Sequence, residues 1–144
     1  MSYAPGANTD SQGQAVLVGN PVIYNMPPPA SYAGSVTYLN SDIIGGIVVH
    51  NTSGGSVNGT LPTAALLVAA VRAIVGSQLA VGACVECLII NGGTAGTITL
   101  LTGTGGSFDT NQVGGQAIIT GTSKYITIRL TNITVGSEAY TVYS

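Results

Sequence analysis

Two cysteines three residues apart, Cys84 and Cys87 in the run CVEC, have the spacing in this chain most suggestive of chemistry. A dithiol redox pair works from a helix N-terminus, which lowers a thiol pKa. Here the pair lies inside a strand-like run, ACVECLII. Residues three apart on a strand face opposite sides, so these two cannot readily bond to each other. A structural zinc site takes about four ligands, and the chain has one histidine, His50, to add to the two cysteines. The expectation is two buried, reduced thiols that only pack. The sharper alternative is a metal shared across a symmetry axis.

His50 lacks an evident partner set for nucleophile–base chemistry. Asp42, Ser53 and Ser56 are near in sequence, but Ser and Asp occur in turns for their own reasons. The carboxylates Asp10, Asp42, Glu86, Asp109 and Glu138 are scattered, and acid–base hydrolysis needs two held together. GGSVNGT and TGTGGS match neither phosphate-cradling glycine motif. The sequence therefore leads to no catalytic, cofactor-binding or metal-binding residues, no cofactor, and a protein that is not an enzyme. Asn51, Asn58 and Asn132 open glycosylation sequons, which count only on a secretory route.

The elements that would position any site are mostly short strands. The exception is LPTAALLVAAVRAIVG. Thr63 can cap a helix, alanines and leucines favour it, and Gly76 suits its end, which predicts a helix over 63–75. Arg72 near its C-terminus complements the dipole. So apolar a helix must pack on a sheet or another subunit, and a dozen residues cannot cross a bilayer, which needs about 20. Residues 1–34 are polar, then Pro-marked, and read as an extended N-terminal arm. Within it Ala15–Val18 and Pro21–Asn25 flank Gly19-Asn20 as a possible hairpin. Strands are expected over Ser35–Asn40, Ile43–His50 (broken by Gly45-Gly46), Val57–Leu61, Leu79–Ile90 (one long strand or two, interrupted near Gly82), Thr97–Thr102, Gln116–Thr120, Tyr125–Thr131 and Ala139–Tyr143. A Gly-rich loop is expected over 103–115. Turn signals every 8–12 residues or so argue for an antiparallel β-sandwich of jelly-roll type over residues 35–144. No fixed internal period is visible.

Composition limits the partners. Charged residues make up 6% of the 144 and the net charge is −2, against roughly 25% charged in an average soluble protein. Phosphate neutralisation needs clustered Lys and Arg, so a nucleic-acid binder is excluded. A near-neutral surface rich in Thr, Ser, Asn and Gly suits packing against copies of itself or another shell. The start MSYAPGANTDSQ has neither the basic nor the apolar part of a secretory signal, which implies synthesis in a cytosol.

The runs LPTAALLVAAV, VGSQLAVGACVECLIINGGTAGTITLLTGTGG and ITIRLTNITVGSEAYTVY resemble a small capsid-associated β domain of large DNA viruses and tailed phages. The resemblance covers about Leu61 to Tyr143. Where that group carries an aromatic-x-aromatic strand before IIN, this chain has Val85-Glu86-Cys87. The resemblance implies a virion structural protein of decoration, minor capsid or fibre type, often trimeric, bound to a major capsid or other shell protein, with no catalytic residues. Two other classes fit the composition. One is an extracellular filament subunit joined by its arm. The other is a carbohydrate-binding sandwich using Tyr3, Tyr24, Tyr32, Tyr38, Tyr125, Tyr140 and Tyr143, although platform spacing and Trp are both lacking.

Overall fold

The computed structural model describes residues 27–111 and 116–144 in full and the backbone of residues 7–9 and 15–17. The described residues are mainly β, with two helices and two large sheets. In chain order the elements are β1 (Ala7–Thr9), β2 (Ala15–Leu17), β3 (Ala30–Tyr32), β4 (Val36–Thr37), α1 (Asn40–Ile44), β5 (Ile47–His50), β6 (Val57–Thr60) and α2 (Ala64–Val75). A 3-10 turn (Gly76–Gln78) follows, then β7 (Cys84–Asn91), β8 (Thr97–Leu101), β9 (Gly106–Phe108), β10 (Ala117–Ile119), β11 (Ser123–Asn132) and β12 (Ala139–Tyr143).

β1 and β2 pair with each other. The expected partner of Ala15–Val18, Pro21–Asn25, lies outside the described residues. One large sheet has the order β3-β5-β7-β11-β12-β9 and the other β10-β8-β6-β4. From β3 to β11, successive strands alternate between the two sheets. The chain therefore winds between them, and neighbours within a sheet are often two strands apart in sequence. That arrangement makes β3/β5, β5/β7, β4/β6 and β6/β8 parallel. Only β7/β11, β11/β12 and β8/β10 are antiparallel in the two large sheets. The all-antiparallel expectation is thus corrected to mixed sheets. Parallel neighbours need crossovers, and here the other sheet and the helices supply them.

α2 forms where expected. The Thr63 hydroxyl accepts from the Leu66 N–H at 3.3 Å, and Gly76 closes the helix at φ +60. Ala64, Leu67 and Val68 are buried, with Val71 packed beside them. Arg72 donates to the Ile133 carbonyl at 2.6 Å and ties the helix to the turn after β11.

Four expectations about elements are corrected. The strand expected from Leu79 begins only at Cys84, because a turn over residues 80–83, closed by the Ala83 N–H on the Ala80 carbonyl, precedes it. Asn40 ends an expected strand and Ile43 begins another, yet both lie in α1. Asp42 explains it: its carboxylate accepts from the Leu39 N–H at 3.0 Å, holding the first turn. Gly45 and Gly46 then end the helix. The sheet begins at Ala30, inside the expected arm, because Ala30–Tyr32 pair with Val48–His50. The Gly-rich stretch holds β9, parallel to β12. Gly106 lies so close beneath the Tyr140 ring that a Cβ there would collide with it.

One core cluster draws on both sheets and both helices: Ile43, Val48, Leu67, Cys87, Ile89, Ile98, Leu100, Ile118, Ile126, Ile128, Leu130 and Val142 among others. Alternation along β11 is as read, with Ile126, Ile128 and Leu130 inward and Tyr125 and Arg129 outward.

Candidate functional site

His50 is fully buried at the end of β5. Its Nε2 lies 2.6 Å from the Gly34 carbonyl and its Nδ1 3.0 Å from the Tyr38 hydroxyl. A carbonyl only accepts, so Nε2 carries the hydrogen and Nδ1 accepts from Tyr38. β4 and its continuation deliver Tyr38 from one sheet, while β5 delivers His50 from the other. Gly59 on β6 makes room, since a Cβ there would strike the Tyr38 hydroxyl. Burial raises the Tyr38 pKa well above the ordinary phenol range, with Cys87 and Tyr32 adding to it.

Tyr32, on β3, packs 5.5 Å from the Tyr38 ring and 6.3 Å from His50. Its hydroxyl donates to Asp42, and burial and that bond raise its pKa. Asp42 and His50 thus share one cluster, but the carboxylate serves Tyr32 and Leu39. Ser53 and Ser56 are exposed in the turn after His50. The geometry does not assemble a triad. A histidine with both nitrogens engaged by the fold, beside a tyrosine pressed on a glycine, ties the two sheets together.

A second buried polar network sits at the same ends of β5 and β7. Thr52 donates to Asn91 Oδ1 at 2.9 Å, and Asn91 Nδ2 donates to the carbonyls of Ile118 at 2.9 Å and Gly96 at 3.2 Å. The Gly93 N–H also donates to Asn91 Oδ1 at 3.2 Å. Asn91 therefore links β7 to β10 and to the turn before β8. Its place in Asn-Gly-Gly suggests only a turn, and no local signal marks it as buried. Among the described residues, no buried side-chain polar atom lacks a partner.

The cysteines face opposite ways, as strand geometry requires. Cys87 is buried, its thiol pushed up to about 12 by burial and then by Asp42. Cys84 is exposed, which corrects the expectation that both pack inside. It lies beside Arg129 on β11. Among the described residues, no group of three His, Cys, Asp or Glu side chains is placed to hold a metal.

Of the sequon asparagines, Asn51 and Asn58 are exposed, and Asn132 is half-buried with its Oδ1 accepting from Thr134. Tyr32, Tyr38 and Tyr140 point into the fold, whereas Tyr125 and Tyr143 are exposed on the outer face of the six-stranded sheet. Tyr3 and Tyr24 lie outside the described residues.

Several large apolar side chains also face outward among the polar ones. Leu39, Leu66, Ile74, Val81, Ile119 and Val135 are each more than half exposed. No described helix is long and apolar enough to cross a membrane. Compared with protein-family models, with curated proteins and with solved structures, the chain matches none.

Proposed function

We propose that this chain is a non-enzymatic structural subunit of a virion, of capsid decoration, minor capsid or fibre type. It acts through self-association and contact with a major capsid or other shell protein. The observation that carries the reading is the contrast between inside and outside. Inside, every described buried polar side chain is engaged. Outside, large apolar side chains stand exposed on a chain with only eight charged residues. So sparsely charged a surface suits packing against copies of the chain or another shell. The two sheets are read as facing layers of a sandwich, because their buried side chains fall in one cluster. The winding between them departs from the antiparallel connectivity of a jelly roll.

The resemblance to capsid-associated domains supports the virion setting, with synthesis in the host cytoplasm, and favours a closed oligomer, a trimer first. A filament built by strand exchange is the competing assembly. The separate β1–β2 ladder at the N-terminus favours keeping it in view. Cosedimentation with purified shells tests the shell partner: the account expects saturable binding at a fixed ratio to the shell protein. Binding absent from shells of every source tried would count against it. Growth of the protein alone into filaments would move the reading to the competing assembly.

A further inference from the structure

We propose that the outer face of the six-stranded sheet around Thr127 is a binding platform for a neutral polysaccharide chain. This goes beyond the assembly reading and holds for a lone subunit as for an arrayed one. In sequence, Tyr125 and Tyr143 share no platform spacing. The β11–β12 ladder supplies it. Thr127 pairs directly with Tyr143, so Tyr125, two residues away on β11 and on the same face, is the diagonal neighbour of Tyr143. Diagonal pairs stand roughly 7–8 Å apart. Tyr125 and Tyr143 reach 54% and 40% of full exposure, on the side of the sheet away from the core.

The groups beside the rings select a sugar. On β7, Glu86 pairs with Thr127, and its carboxylate accepts from the Tyr125 hydroxyl. The ring is therefore held at its base by β11 and at its tip by the neighbouring strand. An exposed aromatic already held in place loses little freedom on binding. Next along the ladder, Arg129 pairs with Thr141 on the same face. The platform thus interleaves ring faces with a carboxylate, a guanidinium and hydroxyls. A pyranose has the matching construction. Its C–H face carries the partial positive charge that meets the negative face of an aromatic ring. Its rim of hydroxyls donates to a carboxylate and accepts from a guanidinium. The centre of a protein interface, by contrast, is poor in carboxylates, and here one is bonded into the platform. Glu86 and Arg129 balance each other in charge, so the platform does not favour an ionised polymer. An open sheet face suits a chain bound along its length, where a single small molecule needs a concave site.

The test is native electrophoresis of the full chain through gels containing a neutral glucan, mannan, xylan or galactan, beside the variants Tyr125→Ala, Tyr143→Ala, Tyr125→Phe and Leu66→Ser. All three positions are exposed, and a thermal melt checks that each variant folds. The expected result is retardation of the wild-type chain by at least one of the four polymers. Its dissociation constant should rise at least tenfold in each alanine variant, less in Tyr125→Phe, which keeps the ring, and not at all in Leu66→Ser on α2. The bound polymer should also slow alkylation of Cys84, the exposed partner of Arg129 in the ladder. No retardation by any of the four, or retardation undiminished in both alanine variants, overturns the platform. Loss of shell binding in the alanine variants, with no retardation by any polymer, assigns the face to a protein partner. That outcome overturns the platform and leaves the assembly reading standing.

Discussion

At the scale of single residues, two tyrosine–glycine pairs hold the interior. Tyr38 lies on Gly59 and Tyr140 on Gly106, each so close that a Cβ would collide with the ring. Tyr140 donates to the Pro62 carbonyl at 2.9 Å and accepts from the Gly103 N–H at 3.1 Å. Gly59→Ala should therefore destabilise the protein by about 1–3 kcal/mol, the usual cost of overpacking. Tyr38→Phe leaves His50 Nδ1 unpaired in the core and should cost about 1–3 kcal/mol. Urea unfolding measures both. The double variant should be less harmful than the sum of the two, because removing the hydroxyl relieves part of the clash. Full additivity would show that the two positions do not press on each other.

Cys87 and Tyr38 also fix the sign of an alkaline effect. Both are acids whose folded pKa is raised, so the folded state holds its protons to higher pH than the unfolded state. Their contribution is fully present below the unfolded values, 9.0 for the thiol and 10.0 for the phenol. It is lost above them, as the unfolded chain ionises first. Stability should hold up to about pH 9 and then fall by roughly 1.4 kcal/mol per pH unit for each such group. Cys87→Ala should flatten the part between pH 9 and 10, read from urea midpoints at each pH. A thiol reagent should label one cysteine in the native protein, Cys84, and two after unfolding. Two fast labels in the native state would contradict the burial of Cys87.

At the scale of elements, the boundary between arm and sheet has a direct consequence. Removing residues 1–26 leaves β3 in place. Removing residues 1–34 deletes β3, the Tyr32 hydroxyl on Asp42 and the Gly34 carbonyl on His50. The shorter truncation should fold with a melting temperature near that of the full chain. The longer one should lose several degrees or fail to fold, read by circular dichroism. Equal behaviour of the two would mean that β3 adds nothing to the sheet. Thr63→Ala should cost about 1 kcal/mol through the lost N-cap.

The elements divide clearly into those the sequence reveals and those it hides. α2, β11 and β12 are legible because local signals agree: a cap, an alternation or a glycine stop marks each one. α1 is hidden because its apolar residues Ile43 and Ile44 continue into β5, and the side-chain signal for its start is a single one, the Asp42 carboxylate on the Leu39 N–H. β9 is hidden because a glycine chosen for room under Tyr140 looks like a loop residue. The His50 cluster is half legible. The alternation puts Tyr38 beside Val36 on one face, but its hydrogen bond to His50 spans two sheets, which no local pattern encodes.

At the scale of the whole molecule, the winding explains the missing repeat. Val48 pairs with Ile89 and Val57 with Ile98, both 41 residues on (48 to 89 and 57 to 98). The preceding turn of the winding is shorter: Ala30 pairs with Val48 and Val36 with Gly59. The insertion of α2 and its following turn lengthens one coil and not the other, so no fixed period survives in the sequence. Winding also explains the apolar runs Ile47-Val48-Val49 and Leu88-Ile89-Ile90. Their strands are parallel neighbours, and parallel sheets favour cover on both faces. Val48 and Ile89 are fully buried, while Ile47, Val49, Leu88 and Ile90 on the outer face are only half-buried.

The central claim is that the chain works by associating with copies of itself and with a shell. Its most direct test is the native mass of the full chain, followed by light scattering from micromolar to millimolar concentration. The account predicts a mass that rises and levels at a small whole multiple of 14.3 kDa. A mass equal to one chain at every concentration would contradict it.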